Sequence, residues 1–184
     1  LEKSELIRIT EALLIATPEP LTESRFLQCF SDEAPTIKLD ELIKALNSEY
    51  KASQRAYQVF KVASGYQLVT LPGYEVYVRQ LYSRTSKLRL SQAALETLAI
   101  ITYRQPLSRI EVEAIRGVSS ESPLRTLLER RLIEIRGREP GPGRALLYRT
   151  TTDFLQYFGL NSLDDLPQLR EARELIRDED ESLV

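Results

Sequence analysis

The sequence predicts a mainly α-helical chain with small β-hairpins, an α+β fold made of two tandem units. Three observations predict it. Apolar residues recur at helical spacing through much of the chain. Each half then carries a pair of short strand-like runs joined by a turn. The order helix, helix, helix, strand, turn, strand, helix runs twice, which is the order of a winged-helix domain of the helix-turn-helix type. The 184 residues suit two small domains, and a duplicated architecture accounts for that length.

In the first half, residues 4–16 read as a helix with Leu6, Ile9, Leu13 and Ala16 on one face and Ser4 as a cap. Thr17-Pro18-Glu19-Pro20 ends it, since proline cannot continue a helix. Residues 22–30 form a short second helix capped by Thr22. Residues 39–53 form a third, carrying Leu39, Leu42, Ile43 and Leu46. Residues 57–62 and 66–71 are strands around Ser64-Gly65, and residues 75–82 form a closing helix.

The second half begins with a helix at 91–103, capped by Ser91, with Leu95, Leu98, Ala99 and Thr102 as its inward face. Arg104-Gln105-Pro106-Leu107 is a turn. A short helix at 108–115 ends at Gly117, suited to a left-handed exit. A third helix runs over 119–131. Strands follow at 132–136 and 145–150 around a Gly- and Pro-rich loop, and Thr151 or Thr152 caps a last helix at 153–158, closed by Gly159. Leu95, Leu98, Leu124, Leu127, Leu128 and Ile133 should share a core. The seam is the polar Ser83-Arg84-Thr85-Ser86-Lys87, giving domains at 1–86 and 87–167, with an acidic, mobile tail at 168–184.

Composition narrows the chemistry. A hydrophobic share of 42% and a charged share of 28% fit a folded soluble protein. There is no histidine, and Cys29 is alone, so the usual zinc, haem and iron–sulfur ligand sets are missing and no cofactor is expected. Cys29 reads as a semi-buried thiol without a catalytic base. Glu111 and Glu113 are two apart and share no helix face. Asp164-Asp165 sits in a polar turn, so no carboxylate pair is tuned for acid–base work and no enzyme is expected. No apolar run spans a membrane, and Leu1-Glu2-Lys3 does not read as a signal peptide, which leaves the cytoplasm.

The architecture raises a DNA-binding transcriptional regulator as the alternative function. The charge argues against it. The net charge is −2, and residues 168–184 hold 6 acidic against 3 basic groups. The helix that would enter a groove carries Arg125, Arg130 and Arg131, but also Glu121 and Glu129, which repel phosphate. Its counterpart in the first half mixes Lys44 and Lys51 with Asp40, Glu41 and Glu49. Direct DNA binding is therefore weak or absent. Arg136, Arg138 and Arg144 make the second hairpin loop basic, able to touch phosphate or an acidic protein partner. Gly141-Pro142-Gly143 is no phosphate loop, because the Lys-Ser/Thr end of that motif is missing. Nine tyrosines fit core filling and protein interfaces, and Tyr74, Val78 and Leu81 form a stripe suited to self-association.

One stretch carries more. Leu95-Glu96-Thr97-Leu98-Ala99-Ile100-Ile101-Thr102-Tyr103-Arg104-Gln105-Pro106, then Ser108-Arg109, Glu111 and Ile115-Arg116-Gly117-Val118, resembles the bacterial segregation and condensation protein B family. The resemblance continues through Leu124-Arg125-Thr126-Leu127-Leu128-Glu129-Arg130, Gly137-Arg138, Tyr157-Phe158-Gly159-Leu160 and Leu163-Asp164-Asp165-Leu166-Pro167. The first half matches more loosely, at Glu11-Ala12-Leu13-Leu14 and Gly65-Tyr66-Gln67-Leu68. Arg131 departs from the pattern, standing where a small residue is common. The resemblance implies two winged-helix domains. It also implies a homodimer formed through the first domain, and a kleisin subunit, of the segregation and condensation protein A type, bound through the second. Assembly on an SMC ATPase at the nucleoid follows from the same family. With it, Ile100 and Ile101, which point away from the Leu95 stripe, become candidate kleisin contacts, rimmed by Arg104, Arg109 and Arg116.

Overall fold

The computed structural model describes residues 1–30, 34–82, 90–140 and 143–168. The polar seam and all of the acidic tail beyond Gln168 lie outside the described residues, as do Gly141 and Pro142. The architecture is α+β with two small antiparallel sheets.

The first half opens with α1 (Lys3–Ala16), preceded by Glu2, which gives no side-chain cap; the expected Ser4 cap lies inside the helix. Its buried residues are Leu6, Thr10 and Leu14 rather than the Leu6, Ile9, Leu13 and Ala16 stripe. Thr10 can be buried because its hydroxyl donates to the Leu6 carbonyl at 2.7 Å. In α2 (Glu23–Gln28) the Thr22 hydroxyl accepts from the Arg25 N–H, as a capping threonine should. Cys29, just after α2, is exposed rather than semi-buried. Helix α3 (Leu39–Ala52) buries Leu39, Leu42, Ile43, Leu46 and Tyr50 at the center of the first core. The Tyr50 hydroxyl donates to Glu11 at 2.9 Å, tying α3 to α1, and burial beside that carboxylate pushes its pKa up.

Strands β1 (Tyr57–Val62) and β2 (Gly65–Thr70) form a hairpin in register Tyr57↔Thr70 to Val62↔Gly65. Asn47 of α3 uses its amide as a piece of strand, donating to the Val59 carbonyl at 2.9 Å and accepting from its N–H at 2.8 Å. Gly65 is required by close approach: a Cβ there would sit 2.8 Å from the Pro20 Cβ, where Leu21 bridges to Tyr66. Tyr66 donates to Asp40 at 2.8 Å; its phenol, pushed up to about 12 by burial and that bond, stays protonated. Helix α4 (Glu75–Tyr82) follows a single turn at Pro72–Tyr74.

The second half contains α5 (Gln92–Arg104), β3 (Leu107–Ser108), α6 (Arg109–Arg116), α7 (Glu121–Glu129), β4 (Ile133–Arg138), β5 (Leu146–Thr150) and α8 (Thr152–Phe158). The turn expected at 104–107 holds β3, which makes a sheet in the order β3-β5-β4. Ser91 and Thr151 cap α5 and α8 with side-chain oxygens, and Gly117 leaves α6 at φ 74°, the left-handed exit expected of it. Ala94, Leu98, Ile101, Val112, Leu127 and Phe154 center a second core, separate from the first. Leu124, Leu127 and Ile133 are buried in it and Leu128 packs on its edge, whereas Leu95 is exposed, against expectation.

Both α6 carboxylates serve helix starts. Glu111 accepts from the Ser108 N–H and hydroxyl at 2.7 and 2.8 Å, which hold it below the usual carboxylate range. Glu113 accepts from the Ser120 N–H at 2.9 Å, at the head of α7. The two halves meet where the Ala63 and Ser64 N–H groups, in the first hairpin turn, donate to the carbonyls of Leu160 and Asn161 at 2.9 and 3.1 Å.

Two outcomes follow. Leu127 is fully buried, so Leu127→Ala should cost about 2–5 kcal/mol in a denaturant melt; a loss under about 0.5 kcal/mol would contradict its place in the core. Glu111 has a depressed folded pKa, so it contributes stability that is present above its unfolded pKa and lost as pH falls through the folded value. Between pH 5 and pH 3, thermal melts of Glu111→Gln should show a smaller drop in Tm than wild type. An equal drop would remove Glu111 from the acid response.

Candidate functional site

The candidate sites lie on surfaces rather than in a cleft, and they begin with the rotation of α5. Its buried face is Ala94, Thr97, Leu98, Ile101 and Thr102, at spacings of three and four. That is one residue out of step with the Leu95, Leu98, Ala99 and Thr102 stripe. Ala94 and Thr97 are small, so α7 approaches closely, and the Thr102 hydroxyl is satisfied by the Leu98 carbonyl at 2.7 Å. The shift turns Ile101 fully inward, so it is a core residue and no docking contact. Ile100 is half-buried against the same core.

The proposed cationic rim divides. Arg104 is exposed at the end of α5. Arg116 is not on a rim: its side chain is 6% exposed and bridges three helices. Nη1 donates to the Ser119 carbonyl and the Ser120 hydroxyl, both at 3.1 Å, and Nη2 pairs with Glu96 at 3.2 Å. Its Nε is buried with no partner among the described residues. Arg109 is exposed and lies 3.9 Å from Glu113. It lines a groove with Arg138 and Arg144 of the second hairpin, while Arg136 does not. The two arginine sets read from the sequence are thus regrouped.

Exposed apolar residues that the sequence reading missed are Ile110, Ile115 and Val118 in and after α6, together with Leu95. The signal was present. At about 100° per residue, Ile110 stands about 200° from Val112, so a helix that buries Val112 must expose Ile110. In the first half, the stripe residues Tyr74 and Leu81 are exposed and Val78 is half-buried; Val76 and Tyr77 add to the open surface. The tyrosines divide accordingly: Tyr50 is core, Tyr57 and Tyr66 are half-buried, and Tyr74 and Tyr77 face out.

Each resolved pKa shift has a structural partner: Lys44 and then Tyr66 hold Asp40 low, Asp40 holds Lys44 high, and Ser108 holds Glu111 low. No group of three or more potential metal-ligating side chains exists among the described residues. No helix among them is long and apolar enough to cross a membrane.

Comparison with known proteins places this surface in context. The family described as "Segregation and condensation complex subunit ScpB" matches residues 8–169. Segregation and condensation protein B of Syntrophotalea carbinolica is 43% identical over 180 residues, covering 98% of this chain and 89% of that protein. The protein of the same name from Symbiobacterium thermophilum is 48% identical over 164 residues, 86% of this chain and 71% of its own length. Among solved structures, ScpB from Mycobacterium tuberculosis is 32% identical with a TM-score of 0.40, covering 87% of this chain and 98% of that one. A conserved hypothetical protein from Chlorobium tepidum is 37% identical with a TM-score of 0.42, covering 86% and 98%. With the family matched across both cores, the chain belongs to the segregation and condensation complex subunit ScpB family.

Proposed function

We propose that the chain is a non-catalytic subunit of the bacterial SMC–kleisin complex, working in the cytoplasm at the nucleoid in chromosome condensation and segregation during cell division. The observation that carries this reading is the family match over residues 8–169, which spans both hydrophobic cores. Each core belongs to one winged-helix domain in this reading, 1–86 and 87–167. ATP chemistry belongs to the SMC partner, and the chain contributes interaction surfaces.

The first domain forms the homodimer. Tyr77 and Leu81 of α4 are 72% and 77% exposed, and burying such side chains in a partner supports association. The second domain holds the kleisin, with apolar anchors supplying most of the affinity and exposed charges such as Arg104 supplying orientation. Leu95, Ile115 and Val118 flank the Glu96–Arg116 pair in sequence and take the anchoring role first assigned to Ile100 and Ile101. The DNA-binding alternative is disfavored by the exposed Glu121 and Glu129 on α7.

Two measurements test this. Sedimentation equilibrium should find the full chain dimeric and the Tyr77→Ser/Leu81→Ser variant monomeric; a variant that stays dimeric moves the interface off α4. In calorimetric titration with a kleisin fragment at about 0.15 M salt, Leu95→Ser/Val118→Ser should weaken binding at least about tenfold, and Arg104→Ala by no more than about threefold. Kleisin binding that is absent in wild type defeats the proposed function, and binding untouched in the double variant defeats the docking surface.

A further inference from the structure

We propose that the groove between the start of α6 and the second hairpin binds an acidic, aliphatic-flanked peptide segment of a partner protein. It rests on reading the second half as a partner-binding unit, and it adds a second contact at the opposite end of α6 from Ile115 and Val118. The groove has a volume of about 290 Å³ and is lined by Arg109, Ile110, Arg138, Arg144, Leu146 and Tyr148, with Gly143 and Ala145 completing its wall. Among the described residues, three arginines and no acidic residue line it.

The backbone is built to deliver one of those arginines. The β4–β5 register runs Ile135↔Tyr148 and then Gly137↔Leu147, so Arg136 is an extra, bulged residue. Directly opposed residues share a sheet face, so Arg138, opposite Leu146, lies on the face of Leu146, Tyr148 and Ile135. Without the bulge, strict alternation would put Arg138 on the other face from Ile135. Tyr148 also pairs with Leu107 of β3, immediately before α6, which brings this face to Arg109 and Ile110. Arg138 Nη1 donates to the Arg144 carbonyl at 3.1 Å, which steadies the hairpin's return. Among the described residues, Arg109 has only the long 3.9 Å approach of Glu113 for compensation, and no hydrogen bond or ion pair occupies the Arg144 guanidinium.

The occupant follows from charge and size. Three arginines in one groove, with no acidic residue beside them among the described residues, call for an anionic partner, and the planar guanidinium fork suits carboxylates and phosphates alike. Ile110, 68% exposed on the rim, decides between these. It gains by covering an aliphatic side chain and gains nothing from a sugar–phosphate backbone. A cavity of this volume holds one or two side chains rather than a duplex, and the neighboring α7 exposes Glu121 and Glu129.

The test is fluorescence anisotropy on the full chain with a short labeled peptide of alternating glutamate and leucine. Controls are the same peptide with glutamine for glutamate, and a mixed-sequence DNA duplex. Wild type should prefer the glutamate peptide by about tenfold, and the preference should shrink as salt rises. Arg109→Ala/Arg144→Ala, with folding checked by circular dichroism, should abolish the preference. Arg136→Ala, which keeps the bulge, should retain it, while deletion of Arg136, which removes the bulge, should lose it even where the deletion variant still folds. No preference in wild type, or an unchanged preference in the folded double variant, overturns the proposal. So does DNA binding tighter than the peptide and lost in the same double variant. If neutralizing Asp178, Glu179, Asp180 and Glu181 tightens peptide binding tenfold, the chain's own acidic run is the occupant, and the assignment to a partner fails. Kleisin binding measured on the same samples separates the two ideas: kleisin bound without peptide preference sinks only this site, and peptide preference without kleisin binding sinks only the proposed function.

Discussion

The second half is organized around one buried cation. Arg116 sits at the end of α6 and reaches both the head of α7, through Ser119 and Ser120, and the flank of α5, through Glu96. Its parts are unequal in strength. Glu96 is about half exposed, so the ion pair belongs with the surface pairs, worth about 0–1 kcal/mol. The bond to the Ser120 hydroxyl is part-buried and carries the guanidinium's charge, so it is the stronger constraint. Together with the Ser119 bond it fixes the short α6–α7 connection, which Glu113 holds as well by accepting from the Ser120 N–H. Truncating Arg116 would release Ser120 and Glu96 together. This is why the residue is a poor choice for probing a docking rim: its loss would disturb three helices before it touched any ligand.

That clamp also determines which surfaces stay open. A unit of about 80 residues buries a smaller share of its surface than a larger domain does, and the only apolar residue that α6 buries is Val112. Ile110 and Ile115 are left facing out at its two ends. In the first half, α4 leaves Val76, Tyr77 and Leu81 exposed. Exposed aliphatic side chains on rigid short helices are a poor arrangement for an isolated monomer and a good one for a subunit that is covered on assembly.

Helix ends were legible in the sequence because capping is local chemistry: Thr22, Ser91, Thr151, Gly117 and Gly159 mark their termini with short-range hydrogen bonds or a left-handed turn. The hairpins were legible from their strand-like runs. Helix rotation was not. Thr10 and Thr97 are fully buried, and a reading that passes over them selects the wrong neighbors. That single error exchanged Leu95 for Ile101 in the expected docking surface. The depth of Arg116 was equally hidden, since one of its partners is Glu96, twenty residues earlier. The bulge at Arg136 depends on strand register, which a Gly- and Pro-rich loop conceals. The first half's Gly65 was readable as a turn, but not as the place where Pro20 presses against the hairpin.

The contact between the halves has its own balance. Ala63 and Ser64 turn the first hairpin at φ 49° and 60°, a left-handed region that costs non-glycine residues about 1–2 kcal/mol each. Their N–H groups are then aimed at Leu160 and Asn161, and Ser64 also reaches the Asn161 side chain at 3.2 Å. Asn161 is itself positioned by Asp165, which accepts from its N–H at 2.7 Å. Each hydrogen bond is worth about 0.5–1.5 kcal/mol net, so the contact does little more than offset the strain of the turn that makes it.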